Sequence, residues 1–343
     1  MADDRSVNQP PDCADLILSG GGVKFIGLVG AVVALMDAGY SFQRASGVSG
    51  GSVVAAIIAA ASKGDQLTSA EVRELGLSVP LRQWRDAAPI PFLGPAWGLV
   101  RDTGLYRGDF AHDWIRGELK NLGVTTFGDL AVDDDHLLPE RRYRAVVTVA
   151  DLTTGQLVRL PWDYRRVYGL DPDEQSVADA VRASMAIPFF YRPVTLTSAT
   201  GLASTLVDGG LLSTFPIDSL DRPDAKRPRW PTFGITVIPK LFEGVESAIP
   251  VLKPLRRLLG PPSLLEHLIT TMLIGHDQTH LNEPWVSARA IRVVSTEVSA
   301  LDFGISRERL EQQYDRGYVA AREFLLTWDF PKYLKRFRRY QGH

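Results

Sequence analysis

The sequence predicts an α/β fold, a mainly parallel central sheet held between helices. Three observations carry this. The apolar run Ala14–Leu18 is followed at once by Ser19-Gly20-Gly21-Gly22, and from Val23 onward Gly27, Gly30, Ala31 and Ala34 place small residues on one helical face. The same order returns with Phe42–Val48, then Ser49-Gly50-Gly51-Ser52, then the Ala- and Ile-rich stretch Val53–Ala61. A strand, glycine turn and helix used twice in succession is how parallel strands joined by crossover helices are written. Finally, the chain has 343 residues, 45% of them hydrophobic, enough for one large core.

Taken in order, residues 1–13 are polar and carry Pro10-Pro11, which predicts a loose tail. Residues 14–343 then read as one domain. Between 80 and 105 the character changes: Pro80, Pro89, Pro91 and Pro95 interrupt regular structure, and 87–100 carries no charge but includes Phe92 and Trp97. That pattern predicts an ordered loop or lid. Further strands are expected at Tyr143–Ala150, Leu157–Leu160, Thr205–Val207, Thr232–Ile238 and Ala290–Val294, with helices at Ser176–Ser184, Leu264–Ile274 and Ser306–Thr327. Asp221–Pro231, charged and containing Pro223 and Pro228, reads as a surface connection.

Composition removes several functions. Lys plus Arg number 38 against 40 Asp plus Glu, which argues against a general nucleic-acid binder. One cysteine, Cys13, excludes a disulfide framework and any Cys-cluster metal site, and fits a reducing, cytoplasmic setting. The early apolar run Phe25–Met36 is far shorter than the roughly 20 residues a bilayer span needs. Asp3, Asp4, Asp12 and Asp15 precede it, the wrong charge for a secretion signal. The expectation is a soluble protein able to visit membrane surfaces.

Gly47-Val48-Ser49-Gly50-Gly51 is a G-x-S-x-G at a strand-to-helix junction. Such a turn presents a serine hydroxyl at the carboxyl end of a sheet, and its flanking glycines let the backbone pass close to itself. The pattern fits a nucleophile, and a structural glycine turn is the competing reading. Ser19-Gly20-Gly21-Gly22-Val23-Lys24 is not a phosphate loop: no Gly-Lys-Ser/Thr is present, and Phe25 stands where G-x-G-x-x-G needs its last glycine. Three amides at a helix start suit the oxyanion formed when a serine attacks an ester carbonyl. Leu206-Val207-Asp208-Gly209-Gly210 ends an apolar strand on a carboxylate, and Asp151 in Ala150-Asp151-Leu152-Thr153-Thr154-Gly155 is its rival in a similar setting.

Together the Gly-Gly-Gly-x-Lys run, the G-x-S-x-G and the later Asp-Gly-Gly resemble the patatin-like phospholipase family. Asp151–Gly155 and Arg182-Ala183-Ser184-Met185-Ala186-Ile187-Pro188 match in kind, and the likeness runs in order from Ala14 to Asp218. The resemblance implies a three-layer fold and a lipid acyl hydrolase of the phospholipase A type, working without histidine, metal or organic cofactor. It implies Ser49 as nucleophile, Asp208 as base, Gly20, Gly21 and Gly22 as the oxyanion hole, and Lys24, Gly47, Gly51, Gly209 and Gly210 in support. The sequence departs from the family pattern at Phe25, where many members have glycine, and at Ser213-Thr214-Phe215-Pro216, where an asparagine-rich stretch often stands.

Two other classes stay open. A histidine-dependent esterase or thioesterase on soluble esters would draw on His267, His276 or His280, which follow Asp208 in the Ser…Asp…His order of an α/β-hydrolase. His276 and His280 are also four apart, but the intervening residues lack the Glu of a zinc protease motif. A non-catalytic membrane-interaction module is the other class. Contact with lipid is expected from the uncharged 87–100 stretch, from Leu252–Leu259, or from Lys332–Tyr340, where basic and aromatic residues alternate. The expected partner is membrane phospholipid or another lipid ester, not nucleic acid.

Overall fold

A computed structural model describes residues 13–63, 67–86, 104, 106–222, 227–238, 281–295, 298 and 300–337. Outside them lie residues 1–12 of the expected tail, residues 87–103 of the expected loop with Phe92 and Trp97, the segment 252–259, the helix expected at 264–274, and His267, His276 and His280. Cys13, expected in the tail, instead opens the first strand, and Leu81–Trp84 at the start of the expected loop form a 3-10 turn.

The repeated unit sets the centre of the molecule. Strand β1 (Cys13–Leu18) leads through a short 3-10 turn into helix α1 (Phe25–Asp37), then β2 (Ser41–Val48) turns into α2 (Gly50–Ala61). Every residue of α2 is buried, as expected of a helix apolar on all sides. Strands β1 and β2 pair in parallel, with β3 (Ala145–Asp151) parallel on the far side of β2. Beyond β1 stand β7 (Thr232–Ile238) and β8 (Ala290–Val294), also parallel. Strands β4 (Gln156–Leu160), β5 (Val194–Thr197) and β6 (Ala203–Asp208) join antiparallel, giving the order β5-β6-β3-β2-β1-β7-β8 with β4 also on β3. The sheet is parallel through its middle and antiparallel on one side.

Alternation along the strands divides the core. Leu16 and Leu18 belong to the large cluster built by the helices, while Ile17 joins a second cluster with Val146, Phe215, Ile217 and Val286. Helices cover the first face. Among the described residues the second face is covered by 215–220 and 281–290 rather than by a long helix.

The small-residue face of α1 receives helix α6 (Arg307–Thr327), where a Cβ on Gly317 would stand 1.8 Å from the Gly27 carbonyl oxygen. Among the described residues, three helices longer than a single turn do not follow from the sequence pattern. Helix α3 (Ser69–Ser78) opens on a capping box, Thr68 with Glu71. Helix α4 (Asp109–Asn121) buries Ala111, Ile115 and Leu119 at four-residue spacing, and α5 (Val177–Ser184) follows it as predicted. The third, α7 (Phe330–Phe337), takes up part of the basic C-terminal stretch and buries Tyr333 against Trp328, so that ring faces protein rather than lipid. No described helix is long and apolar enough to cross a membrane.

Candidate active site

Ser49 stands between β2 and α2 with φ 52 and ψ −128, a backbone conformation in which a residue other than glycine is strained. The turn closes only because its neighbours lack side chains. A Cβ on Gly47 would lie 2.3 Å from the Gly51 carbonyl oxygen, and one on Gly51 2.4 Å from that of Ser19. The first turn of α2 starts at this point, so its unsatisfied amides are beside the Ser49 side chain.

Strand pairing explains how Asp208 reaches the same place. Strand β4 pairs with residues Val147–Asp151 of β3. Strand β2 pairs with Ala145–Thr148 and β6 with Val149–Asp151, overlapping β4 in both cases, so both lie on the opposite edge of β3 and follow one another along it. β2 runs parallel to β3 and finishes at Val48 opposite Thr148. β6 runs antiparallel and finishes at Asp208 opposite Val149. Two chain ends approaching from opposite directions therefore meet at adjacent residues of β3. Gly209 permits the closeness, since a Cβ there would stand 2.4 Å from the Thr148 carbonyl oxygen.

Both side chains are buried, Ser49 2% and Asp208 1% exposed. Asp208 Oδ1 accepts the Gly210 N–H at 2.7 Å, and the Asp208 N–H donates to the Ala186 carbonyl. Oδ2 makes no hydrogen bond of good geometry, while the Ser49 hydroxyl is near enough to favour the charged form. The pair is close but loose, as such pairs often are before substrate binds. Burial outweighs both favourable contacts and pushes the Asp208 carboxyl up to about 7.

The glycine run passes beside Ser49 and the start of α2. A Cβ on Gly20 would lie 3.4 Å from that of Ser49, and one on Gly50 2.7 Å from the Gly22 carbonyl oxygen. The Gly20 N–H is already used, donating to the Thr214 carbonyl at 3.0 Å, so Gly21 and Gly22 hold the remaining amides of the run. Thr214 belongs to the Ser213–Pro216 stretch, which thus anchors the loop. Lys24 stands half-buried at the start of α1, and Phe25 stacks on Trp84 at 6.1 Å.

Asp151 sits elsewhere. It is buried, but its carboxylate accepts the Thr153 and Thr154 amides and the Tyr168 hydroxyl, which commits it to the turn after β3. No described histidine bonds to Ser49 or Asp208, and His112 is paired with Asp179 at 2.6 Å. Among the described residues no group of three or more His, Cys, Asp or Glu is placed to hold a metal ion. One contributor carries no role in the sequence reading: the fully buried Ser184 hydroxyl accepts the Ser49 N–H at 2.9 Å and donates to the Thr148 carbonyl at 2.7 Å. Its only sequence signal is membership of the Arg182–Pro188 stretch.

A hydroxyl on a strained turn, a carboxylate of raised proton affinity beside it, and a glycine run alongside with backbone amides to spare are the parts needed for nucleophilic attack on an acyl carbon. Comparison with known proteins agrees in kind. Residues 16–221 match the model of a patatin-like phospholipase. The chain is 33% identical over 317 residues to the uncharacterized protein YqhO of Bacillus subtilis (strain 168), covering 92% of this chain and 99% of that one. Its fold is similar to that of VipD from Legionella pneumophila, with a TM-score of 0.52 at 16% identity over 95% of this chain and 72% of that one.

Proposed function

The chain belongs to the patatin-like phospholipase family, and from that premise we propose that it is a lipid acyl hydrolase cleaving acyl esters through Ser49 and Asp208. The observation that supports this most is the end-to-end meeting of β2 and β6 on one edge of β3, which brings this serine and this carboxylate together.

In the proposed reaction Asp208 takes the Ser49 hydroxyl proton as Oγ bonds to the ester carbonyl carbon. The carbonyl oxygen becomes an oxyanion, received by the Gly21 and Gly22 amides, each such donor being worth about 3–4 kcal/mol in well-studied sites. The intermediate collapses, the C–O bond to the lipid alcohol breaks, and that alkoxide takes the proton back from Asp208. Water then attacks the acyl-serine with Asp208 again as base, releasing the fatty acid and restoring Ser49. Nothing in this sequence of steps calls for a metal or cofactor. A substrate that lies in a membrane calls for peripheral contact to a lipid surface, and the single cysteine, Cys13, favours a cytoplasmic setting.

Incubating wild type and Ser49→Ala with mixed phospholipid vesicles and profiling the lipids tests this. Free fatty acid and lysophospholipid should accumulate only with wild type, and a fluorophosphonate probe should label only wild type. Labelling with cleavage of soluble esters alone would shift the reading to a small-ester esterase. No labelling and no hydrolysis would leave a non-catalytic module.

A further inference from the structure

A cavity of about 350 Å³ opens beside α5, and neither Ser49, Asp208 nor the glycine run lines it. Arg107, Asp109, Asp179, Arg182 and Arg192 bring an unbalanced set of charges to its wall. The two carboxylates are accounted for: Asp109 pairs with Arg107 at 3.4 Å and Asp179 with His112 at 2.6 Å. Neither Arg182 nor Arg192 forms a direct ion pair with a carboxylate among the described residues, although Asp109 and Asp86 are near enough to Arg182 to favour its charge.

Arg182 is only 8% exposed. Its Nη2 donates to the Arg107 and Arg192 carbonyls and its guanidinium lies over the Tyr191 ring, while Nη1 is buried with no partner. The Arg192 Nε is likewise buried and unbonded. Arginine does not shed its proton to escape burial, so a buried guanidinium held by no direct ion pair carries a desolvation cost that a bound anion would relieve. Here Arg182, buried on α5, and the half-buried Arg192, in the residues leading into β5, line one cavity.

We propose that this cavity binds the phosphoryl group of a phosphate ester, with Arg182 and Arg192 as its cationic ligands. Donors reaching in from two separate elements match a tetrahedral, multiply charged anion, whereas a planar carboxylate is satisfied by one guanidinium fork. The space exceeds a single phosphate, and Leu160 and Leu206 offer an apolar wall to whatever the phosphate carries. Arg107, Asp109 and Thr195 at the rim are exposed, so a ligand can enter from solvent. The inference goes beyond the hydrolase reading and does not need it.

The test uses the full chain carrying Ser49→Ala, so that nothing is turned over. Inorganic phosphate is titrated by calorimetry, and co-sedimentation is measured with phosphatidylcholine vesicles containing phosphatidylglycerol. Arg192→Met is compared with Arg166→Met, an equal loss of charge outside the cavity. Arg182 is left intact because it also props two backbone carbonyls. Phosphate binding weakened at least tenfold by Arg192→Met, and not by Arg166→Met, supports the site with a soluble phosphate as ligand. Failure of free phosphate with vesicle binding weakened at least fivefold by Arg192→Met alone supports it with a lipid headgroup as source. Absence of both interactions, or equal effects of the two variants, overturns it. Fluorophosphonate labelling of wild type tests the hydrolase reading separately and is indifferent to these outcomes.

Discussion

The Ser184 hydroxyl bridges two main chains, accepting the Ser49 N–H at 2.9 Å and donating to the Thr148 carbonyl at 2.7 Å. Ser49 is the strained residue of the turn, so a side chain of α5 holds the elbow to the strand on which Asp208 also ends. Ser184→Ala leaves a buried amide without an acceptor, a loss of about 1–3 kcal/mol in stability. If Ser184 positions the nucleophile, kcat falls about tenfold or more while KM changes little. Unchanged kcat in a folded variant would reduce Ser184 to a packing role.

Burial gives Asp208 a carboxyl pushed up to about 7, against an ordinary value of 3.8. A base must be ionised, so kcat/KM should rise with pH along a limb centred near 7. The stability effect has the opposite direction. Between about 4 and 7 the folded chain holds a proton here that the unfolded chain has lost, so the contribution of this group is full below the unfolded pKa and is lost as pH rises through the folded one. Asp208→Asn removes that loss. The variant should be inactive yet more stable than wild type at pH 8, by up to about 4 kcal/mol, with little difference near pH 4. Urea unfolding at the two pH values checks this, and equal stability at both would contradict it.

The two glycines assigned to the oxyanion differ in what they tolerate. A Cβ on Gly22 would lie 1.9 Å from the Ala300 carbonyl oxygen, in a residue with φ +56. Gly22→Ala should therefore cost about 3 kcal/mol or more and reduce folded yield. Gly21 has φ +154 but nothing nearer than 3.8 Å. Gly21→Ala should pay only backbone strain, about 1–2 kcal/mol, and stay folded while kcat drops about a hundredfold as its amide moves. A folded Gly21→Ala enzyme of normal kcat would remove that amide from the proposed mechanism.

What was legible in the sequence was local. The two strand–turn–helix units and the ranges of β7 and β8 follow from apolar runs and glycine punctuation, which depend on neighbours in the chain. Helix α4 was missed although Ala111, Ile115 and Leu119 are spaced for one face, because it follows directly on a proline-rich stretch that reads as irregular. The local residue pattern alone does not separate Asp151 from Asp208; only the family resemblance favours Asp208. Both end apolar strands, and what separates them is that β6 shares an edge of β3 with β2 whereas Asp151 lies three residues past the Val48–Thr148 pair. The engagement of the Gly20 amide by Thr214, some 190 residues on, and the hold of Ser184 on Ser49 likewise arise only from pairing between distant segments.

The opposite end of the sheet offers a stability test that leaves the site alone. Asp15 on β1 and Arg44 on β2 are register partners, 1% and 9% exposed, and form an ion pair, with Arg44 also donating to the Leu220 carbonyl at 3.0 Å. Burial pushes the Asp15 carboxyl up and Arg44 draws it back down. Removing the cation alone strands a buried carboxylate, so Arg44→Met should cost about 3–5 kcal/mol, whereas Asp15→Leu with Arg44→Met should recover most of that loss. Five residues of strand, about 16 Å, separate Arg44 from Ser49, so the folded fraction of either variant should label with fluorophosphonate at the wild-type rate. Chemical denaturation of the two variants beside wild type measures the effect. A single variant costing less than about 1 kcal/mol, or a double variant no better than the single, would show that solvent reaches Asp15 and that the pair does not specify the register of β1 against β2.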